Sequence, residues 1–389
     1  MQIIMNNFKN IKKLFILCLF SLSFSHGTNW KLQTLQVYDI IQNNYVESNI
    51  QDRDLSYGAI KGMLESLNDP YSRFLEPSKY SEMKVNLQGN FYGIGVHIGM
   101  KNDKLTVITP IPGTPADRAG LKSMDVIVSI NNETTNKISL EEAVSKIRGP
   151  EGSKVSITIK RDTVTDNIVY TMQREKIEIK NIDDSQIITG NIGYLRLISF
   201  ESKEATREVA DALKLLKKKG MKSLILDLRN NGGGLLSNAQ GIASLFLDDG
   251  IVVYTLDRNG SKLGIPVLPD KKIFDGPMIV IINGASASAS EILAGAIKDY
   301  KRGKIVGTHS FGKASVQNII PLNDGSAILL TIAKYLTPNG DNIHNVGIMP
   351  NVQIEVPSED IKAIQQGTYV YSTDKDYQLQ QAIKIIKSQ

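Results

Sequence analysis

Two almost unbroken apolar runs, "SLILDL" (223–228) and "PMIVIIN" (277–283), constrain this chain more than any other feature. A strand without polar alternation is buried on both faces, so it belongs inside a sheet covered by helices on each side. "GYLRLISF" (193–200) and the helical pattern "ATREVADALKLLKKKG" (205–220) precede them, and helical stretches follow each. From residue 177 to 356, with strand and helix signals alternating from about Ile182, the chain therefore reads as an α/β domain, followed by a less regular tail over 357–389 that ends in the apolar-periodic "YQLQQAIKIIK".

A different unit precedes it. In "GIGVHIGMKNDKLTVITPIPGTPADRAGLKSMDVIVSINN", Thr114 is a natural N-cap, Pro115 suits the first helical turn and Gly120 closes the helix. A second helix, "SLEEAVSKIRG", and an alternating strand, "KVSITIKR", complete it. Residues 91–176 closely resemble a PDZ domain of the bacterial protease type. That resemblance implies a glycine-rich loop, Gly93, Ile94, Gly95 and Val96, whose N–H groups hold a peptide's terminal carboxylate while the peptide adds to an open sheet edge. Further upstream, residues 30–90 carry apolar positions at helical spacing (Leu35, Ile40, Ile41, Ile60, Leu64) and form an N-terminal helical segment.

The first 25 residues place Lys9, Lys12 and Lys13 before an apolar run, the pattern of a cleaved secretory signal. Those lysines account for three of the five net positive charges, so the remainder is close to neutral and binds no nucleic acid by charge alone. Cys18 is the single cysteine and falls inside the signal, excluding disulfides and thiolate metal sites. His26, His97, His309 and His344 show no ligand spacing, and the expectation is no metal and no cofactor.

The chemistry turns on "GTHSFGKAS" (307–315), whose first seven residues spell a phosphate-binding loop. Ala314 offers no hydroxyl to a magnesium ion, and the β-branched "ASVQNII" that follows opens no helix, so Lys313 is freed for another task. Buried and neutral, a lysine can act as a base. A nucleophile for it lies in "NGASASASEILAG", where small residues turn the chain from a strand into a helix and Ser288 sits at the helix start. The spacing Ser288 to Glu291 also fits a capping box, under which the serine is only a cap. Glycines 232 to 234 after "LILDLRNN" supply room and spare N–H donors.

"SASASEI", "GTHSFGKASVQ" and "LDLRNNGGGLL", in this order behind a PDZ domain, resemble the C-terminal processing peptidases, also called tail-specific proteases. The resemblance runs from about Trp30 to the C-terminus. It implies a crotonase-like α/β serine peptidase core, with Ser288 as nucleophile, Lys313 as general base and Gln317 orienting the lysine; on a strand, positions 313 and 317 point to the same face, so the Gln317 amide can hydrogen-bond the amine. Ala289 and Gly233 or Gly234 match the oxyanion donors, Glu291 and Ser310 are supporting positions, and Asp299 falls where some members carry an acid. It further implies protein substrates captured by their C-termini, a homodimer built from N- and C-terminal helices, and export to the periplasm or cell envelope with an adaptor or lipoprotein partner. Arg148 is a candidate contact coupling the PDZ domain to the peptidase. Two rivals stand beside this reading: a triad using His309 or His344, and an inactive PDZ adaptor.

Overall fold

The computed structural model describes residues 29–47, 49–365 and 368–389, so the expected signal, Cys18 and His26 lie outside the described residues. The chain divides after Ser66. The first unit is a helical hairpin, α1 (Trp30–Asn44), capped by the Asn29 side chain, and α2 (Asp52–Glu65). Trp30, Leu35, Ile40 and Met63 stay exposed on it. The helical segment read over 30–90 ends here. Residues beyond Ser66 belong to the second unit, because "RFL" between two prolines hydrogen-bonds as a strand.

The second unit opens with β1 (Arg73–Leu75), α3 (Pro77–Gln88) and β2 (Asn90–Gly93). The PDZ domain follows: β3 (Val96–Lys101), β4 (Lys104–Pro110), α4 (Pro115–Ala119), β5 (Val126–Ile130), β6 (Glu133–Thr134), α5 (Leu140–Ile147), β7 (Lys154–Lys160) and β8 (Ile168–Gln173). Its sheet runs β3-β4-β5-β7-β8 with β6 on β5, so β3 is an edge strand. β9 (Glu175–Glu178) returns to pair antiparallel with β2. Ile94, Leu105, Val107, Ile127 and Ile157 fill the core of this domain.

The α/β region contains β10 (Ile182–Ile187), β11 (Ile192–Leu197), α6 (Ala205–Lys218), β12 (Ser223–Asp227), α7 (Leu236–Ser244), β13 (Ile251–Asp257), β14 (Lys262–Pro266), β15 (Met278–Ile282), α8 (Ala289–Asp299) and β16 (Lys304–Gly307). It ends with β17 (Ser315–Pro321), β18 (Ala327–Leu336), β19 (Val352–Gln353), α9 (Ser358–Gln365) and α10 (Tyr377–Lys387). One sheet, β10-β11-β12-β15-β16-β19, is parallel apart from β10. The other is antiparallel, β1-β18-β13-β14 with β17 on β18.

The period of two divides the central strands cleanly. Leu224, Leu226, Met278, Val280 and Ile282 pack against helices α6, α7 and α8. Their neighbours Ile225, Ile279 and Ile281 face the opposite way and meet Leu379, Ala382, Ile383 and Ile386 of α10. The C-terminal stretch is therefore no loose tail: it covers one face of the sheet. Each larger α10 side chain buried there contributes roughly 1.5–3 kcal/mol, an upper bound set by the unfolded reference. With that face used inside its own chain, α10 has no apolar stripe left for the expected dimer.

A buried charge cluster ties α10 to the end of β12. Arg229 donates to Asp227 and to Asp376, at 2.6 Å each from Nη2, and all three side chains are excluded from solvent. Burial alone would lower the arginine's pKa; the two carboxylates outweigh it and hold the guanidinium charged.

Candidate active site

The strand-to-helix turn after β15 sets Ser288 at φ +56°, ψ −115°, a conformation few non-glycine residues adopt. Such strain persists only where surrounding contacts over-determine it, and here they do. Ser288 N–H donates to Glu291 Oε2 at 2.9 Å, and Glu291 N–H returns to the Ser288 carbonyl at 2.8 Å. The capping box read from the sequence is present, and the serine hydroxyl has a second neighbour: Ser288 Oγ lies 3.2 Å from Tyr335 Oη.

Glu291 is 1% exposed and accepts four hydrogen bonds. Ser310 Oγ and Gly312 N–H donate to Oε1 at 2.6 and 2.7 Å; Ser288 N–H and Lys313 N–H donate to Oε2, both at 2.9 Å. One carboxylate thereby joins the Ser288 turn to the loop that carries Lys313. The Lys313 side chain then passes over Tyr71, its Nζ 4.7 Å from the ring centroid. Tyr71 is delivered by the strand next to it, since Ser72 Oγ accepts from Thr331 N–H on β18 at 2.9 Å. Burial lowers the Lys313 pKa, the Arg73 cation adds to this, and Asp69 and Glu291 act against it.

The glycine loop sits against the same turn. The Asn231 carbonyl accepts from Ala287 N–H at 3.0 Å and from Ser290 Oγ at 2.9 Å. Gly233 has φ +97°, and a Cβ there would lie 2.7 Å from the Ala287 carbonyl oxygen and 2.8 Å from Ala289 N. Its own N–H donates to Asn231 Oδ1. Gly234 N–H and Ala289 N–H have no acceptor among the described residues, so of the two glycines expected as donors Gly234 is the one free. In Gly233→Ala the added methyl pushes on the turn at Ala287 to Ala289 and displaces the free Ala289 N–H, so kcat is expected to fall by about 10²-fold or more with KM nearly unchanged. Steady-state kinetics on folded protein check this.

Ser288, Lys313, Gln317, Gly234 and Tyr335 line one cleft of about 600 Å³, whose other walls mix apolar side chains such as Leu75, Met83 and Leu236 with the charged Arg73, Glu82 and Glu201. Neither His309 nor His344 lines it. Gln317 reaches the cleft by another route than strand alternation from 313. Lys313 precedes β17, and the β17–β18 register shifts between Val316 and Gln317. The Gln317 amide donates to Ser315 Oγ at 2.8 Å and Thr331 Oγ1 at 3.1 Å instead of meeting the amine. That leaves its carbonyl oxygen as the end available to a donor. Asp299 is not brought to the cleft. It lies at the far end of α8, about 16 Å along the helix from Ser288, and accepts from Asn339 N–H.

In the PDZ loop, Ile94 is core, its carbonyl accepting from Ala116 N–H, and Gly95 has φ +72°. The N–H groups of Ile94 and Gly95 have no acceptor among the described residues. Thr114 does not cap α4 with its side chain. Its hydroxyl points at the Ile111 and Gly95 carbonyls, 2.6 and 2.9 Å away, and so pins the glycine loop. Beside β3 lies α5, and its C-cap residue Arg148 is half-buried with the guanidinium 4.4 Å over Phe91. Burial lowers the Arg148 pKa, with Glu82 of α3 acting against it, and Glu82 also lines the cleft that holds Ser288 and Lys313.

Sequence patterns had not marked Tyr335, Tyr71 or the Arg229–Asp376 pair. An arginine two residues after an aspartate at the end of an apolar strand was the available signal for the last.

Comparison with known proteins matches three segments of the chain. The profile of "Peptidase family S41" matches residues 191–354, a PDZ domain profile matches 106–161, and "Activating protease CtpB N-terminal domain" matches 25–78. A "Carboxyl-terminal-processing protease" of Picosynechococcus is 38% identical over 92% of this chain and 83% of its own length. One from Synechocystis is 37% identical over 86% and 77%. Among solved structures, a photosystem II D1 C-terminal processing protease is 30% identical with a TM-score of 0.51, covering 90% of this chain and all of that one. A putative S41 protease from Bacteroides fragilis, at 16% identity and TM-score 0.53, shares the fold. With a PDZ domain ahead of an α/β peptidase core and this identity over nearly its whole length, the chain belongs to the C-terminal processing peptidases of family S41.

Proposed function

We propose that this protein is a serine endopeptidase that captures exported proteins by their C-termini and cleaves them with Ser288 and Lys313. The observation that carries the reading is the shared cleft: hydroxyl, half-buried amine and a free N–H at Gly234 line it, and no histidine among the described residues does. Ser288 Oγ attacks the scissile carbonyl while Lys313 takes its proton; Ala289 and Gly234 N–H hold the oxyanion. Lys313 then gives the proton to the departing amine and activates the water that hydrolyses the acyl-enzyme.

The PDZ domain supplies recognition. The unpaired N–H groups at Ile94 and Gly95 receive the substrate's carboxylate, and the peptide extends along the open edge of β3 beside α5. Arg148 couples this groove to α3, which walls the catalytic cleft. Exposed Trp30, Leu35, Ile40 and Met63 make the N-terminal hairpin the contact for a second copy. Export to the periplasm or envelope rests on the lysine-then-apolar start, and an envelope adaptor or lipoprotein would deliver substrates.

The test is cleavage of an unstructured protein such as casein, with product termini sequenced, by wild type and Ser288→Ala. Activity in the first alone is expected. Amidating the C-terminus of a peptide substrate should raise KM about tenfold, the loss of one charge-assisted set of contacts. Equal cleavage by Ser288→Ala would defeat the reading.

A further inference from the structure

We propose that Tyr335 is a third catalytic residue, donating its hydroxyl hydrogen bond to Ser288 Oγ whenever that oxygen carries negative charge. The inference rests on the serine peptidase reading above. Tyr335 stands on β18, 47 residues beyond the nucleophile, and its hydroxyl lies 3.2 Å from Ser288 Oγ. Its side chain is 5% exposed and packs in the main core, so the ring is held in place.

The direction of the bond follows from what each group must satisfy. A buried neutral phenol has one proton to place, and Ser288 Oγ is the acceptor within reach among the described residues. Burial pushes the phenol's pKa up, so it keeps that proton. Tyr335 therefore donates, and the serine's own proton is left for Lys313.

In acylation the Oγ–carbon bond forms, the carbonyl π pair moves to the oxyanion, and the Oγ proton passes to Lys313. The carbon–nitrogen bond then breaks, and the nitrogen receives that proton. In deacylation water attacks, Lys313 takes a water proton, and the carbon–Oγ pair returns to Oγ until Lys313 gives the proton back. Negative charge builds on Oγ in both transition states, whereas the free hydroxyl and the ester carry none. A hydrogen bond to a charged acceptor is about twice as strong as a neutral one. The contact therefore acts on kcat and leaves KM alone. Tyr335 keeps its own proton throughout.

The experiment compares wild type, Tyr335→Phe and Ser288→Ala on the unstructured substrate, and measures Ser288 labelling by a fluorophosphonate. Tyr335→Phe is expected to lose about 10- to 100-fold in kcat with KM within about twofold, and to be labelled more slowly by a similar factor. Incorporating 3-fluorotyrosine at 335, which keeps ring and hydroxyl, is expected to restore kcat and separates the hydroxyl's role from packing. Full kcat in folded Tyr335→Phe, or no recovery with 3-fluorotyrosine, overturns the inference while leaving the peptidase reading intact. Wild type that neither cleaves nor labels defeats the peptidase reading itself.

Discussion

Lys313→Ala and Lys313→Arg each lower kcat by roughly 10³-fold or more, with both histidines untouched. Alanine removes the base; arginine keeps the charge and length but cannot deprotonate near neutral pH. A lysine that only filled the cleft or held a carboxylate would tolerate arginine, so the pair of variants separates base from cation. The pH dependence adds a second check. Burial and Arg73 set the Lys313 pKa below its usual 10.5. The catalytic form is the neutral amine, so kcat/KM climbs with pH through that lowered pKa and levels above it. Arg73→Gln removes a like charge and lets the pKa rise, moving the limb to higher pH; Asp69→Asn removes an opposite charge and moves it lower. The displacement stays under about one pH unit, because the Arg73 side chain is exposed and screened. A limb that stays put in both variants, or full activity in Lys313→Arg, rules the dyad out.

What could be read before folding was whatever is written locally. The apolar runs at 223–228 and 277–283 became β12 and β15 because double-sided burial leaves its mark residue by residue. Glycines 233 and 234 were legible for the same reason: a positive φ and a close backbone approach admit almost nothing else. Thr114 shows the limit. Its place before Pro115 has the right caps in sequence, yet its hydroxyl turns away from the helix to the carbonyls of Ile111 and of Gly95, the latter 19 positions away. Gln317 was placed by counting along an uninterrupted strand, and a bulge at 316–317 upset the count. Tyr335 and Tyr71 meet Ser288 and Lys313 only through tertiary pairing of β18 with β17 and β1. The stretch that carries Tyr335 reads as an ordinary strand. The apolar stripe of α10 was visible, but whether it meets its own sheet or another copy is decided by packing.

Glu291→Ala is expected to be the most damaging substitution outside the proposed dyad, because it removes the acceptor shared by the segments that carry Ser288 and Lys313. Four donors lose their partner at once: Ser310 Oγ and the N–H groups of Gly312, Ser288 and Lys313. Each buried unsatisfied donor costs on the order of 1–3 kcal/mol, and water entering the vacated space recovers part of it. A net loss of about 3 kcal/mol is therefore expected, a large share of a typical total. The urea midpoint should fall with m unchanged. Glu291→Gln is the sharper probe. Its amide keeps one acceptor oxygen but presents an NH₂ to the other two donors, so one pair of contacts becomes donor against donor. If the oxygen takes the Oε1 side, the amide faces Ser288 and Lys313 N–H together, and both dyad residues shift while the fold survives. If it takes the Oε2 side, the loop at Ser310 and Gly312 loosens and Lys313 moves with it. Either outcome lowers kcat by about 10²-fold in folded protein, since displacement of reacting groups by an ångström costs that much. Folded Glu291→Gln with wild-type kcat would mean that the carboxylate caps a helix and nothing more.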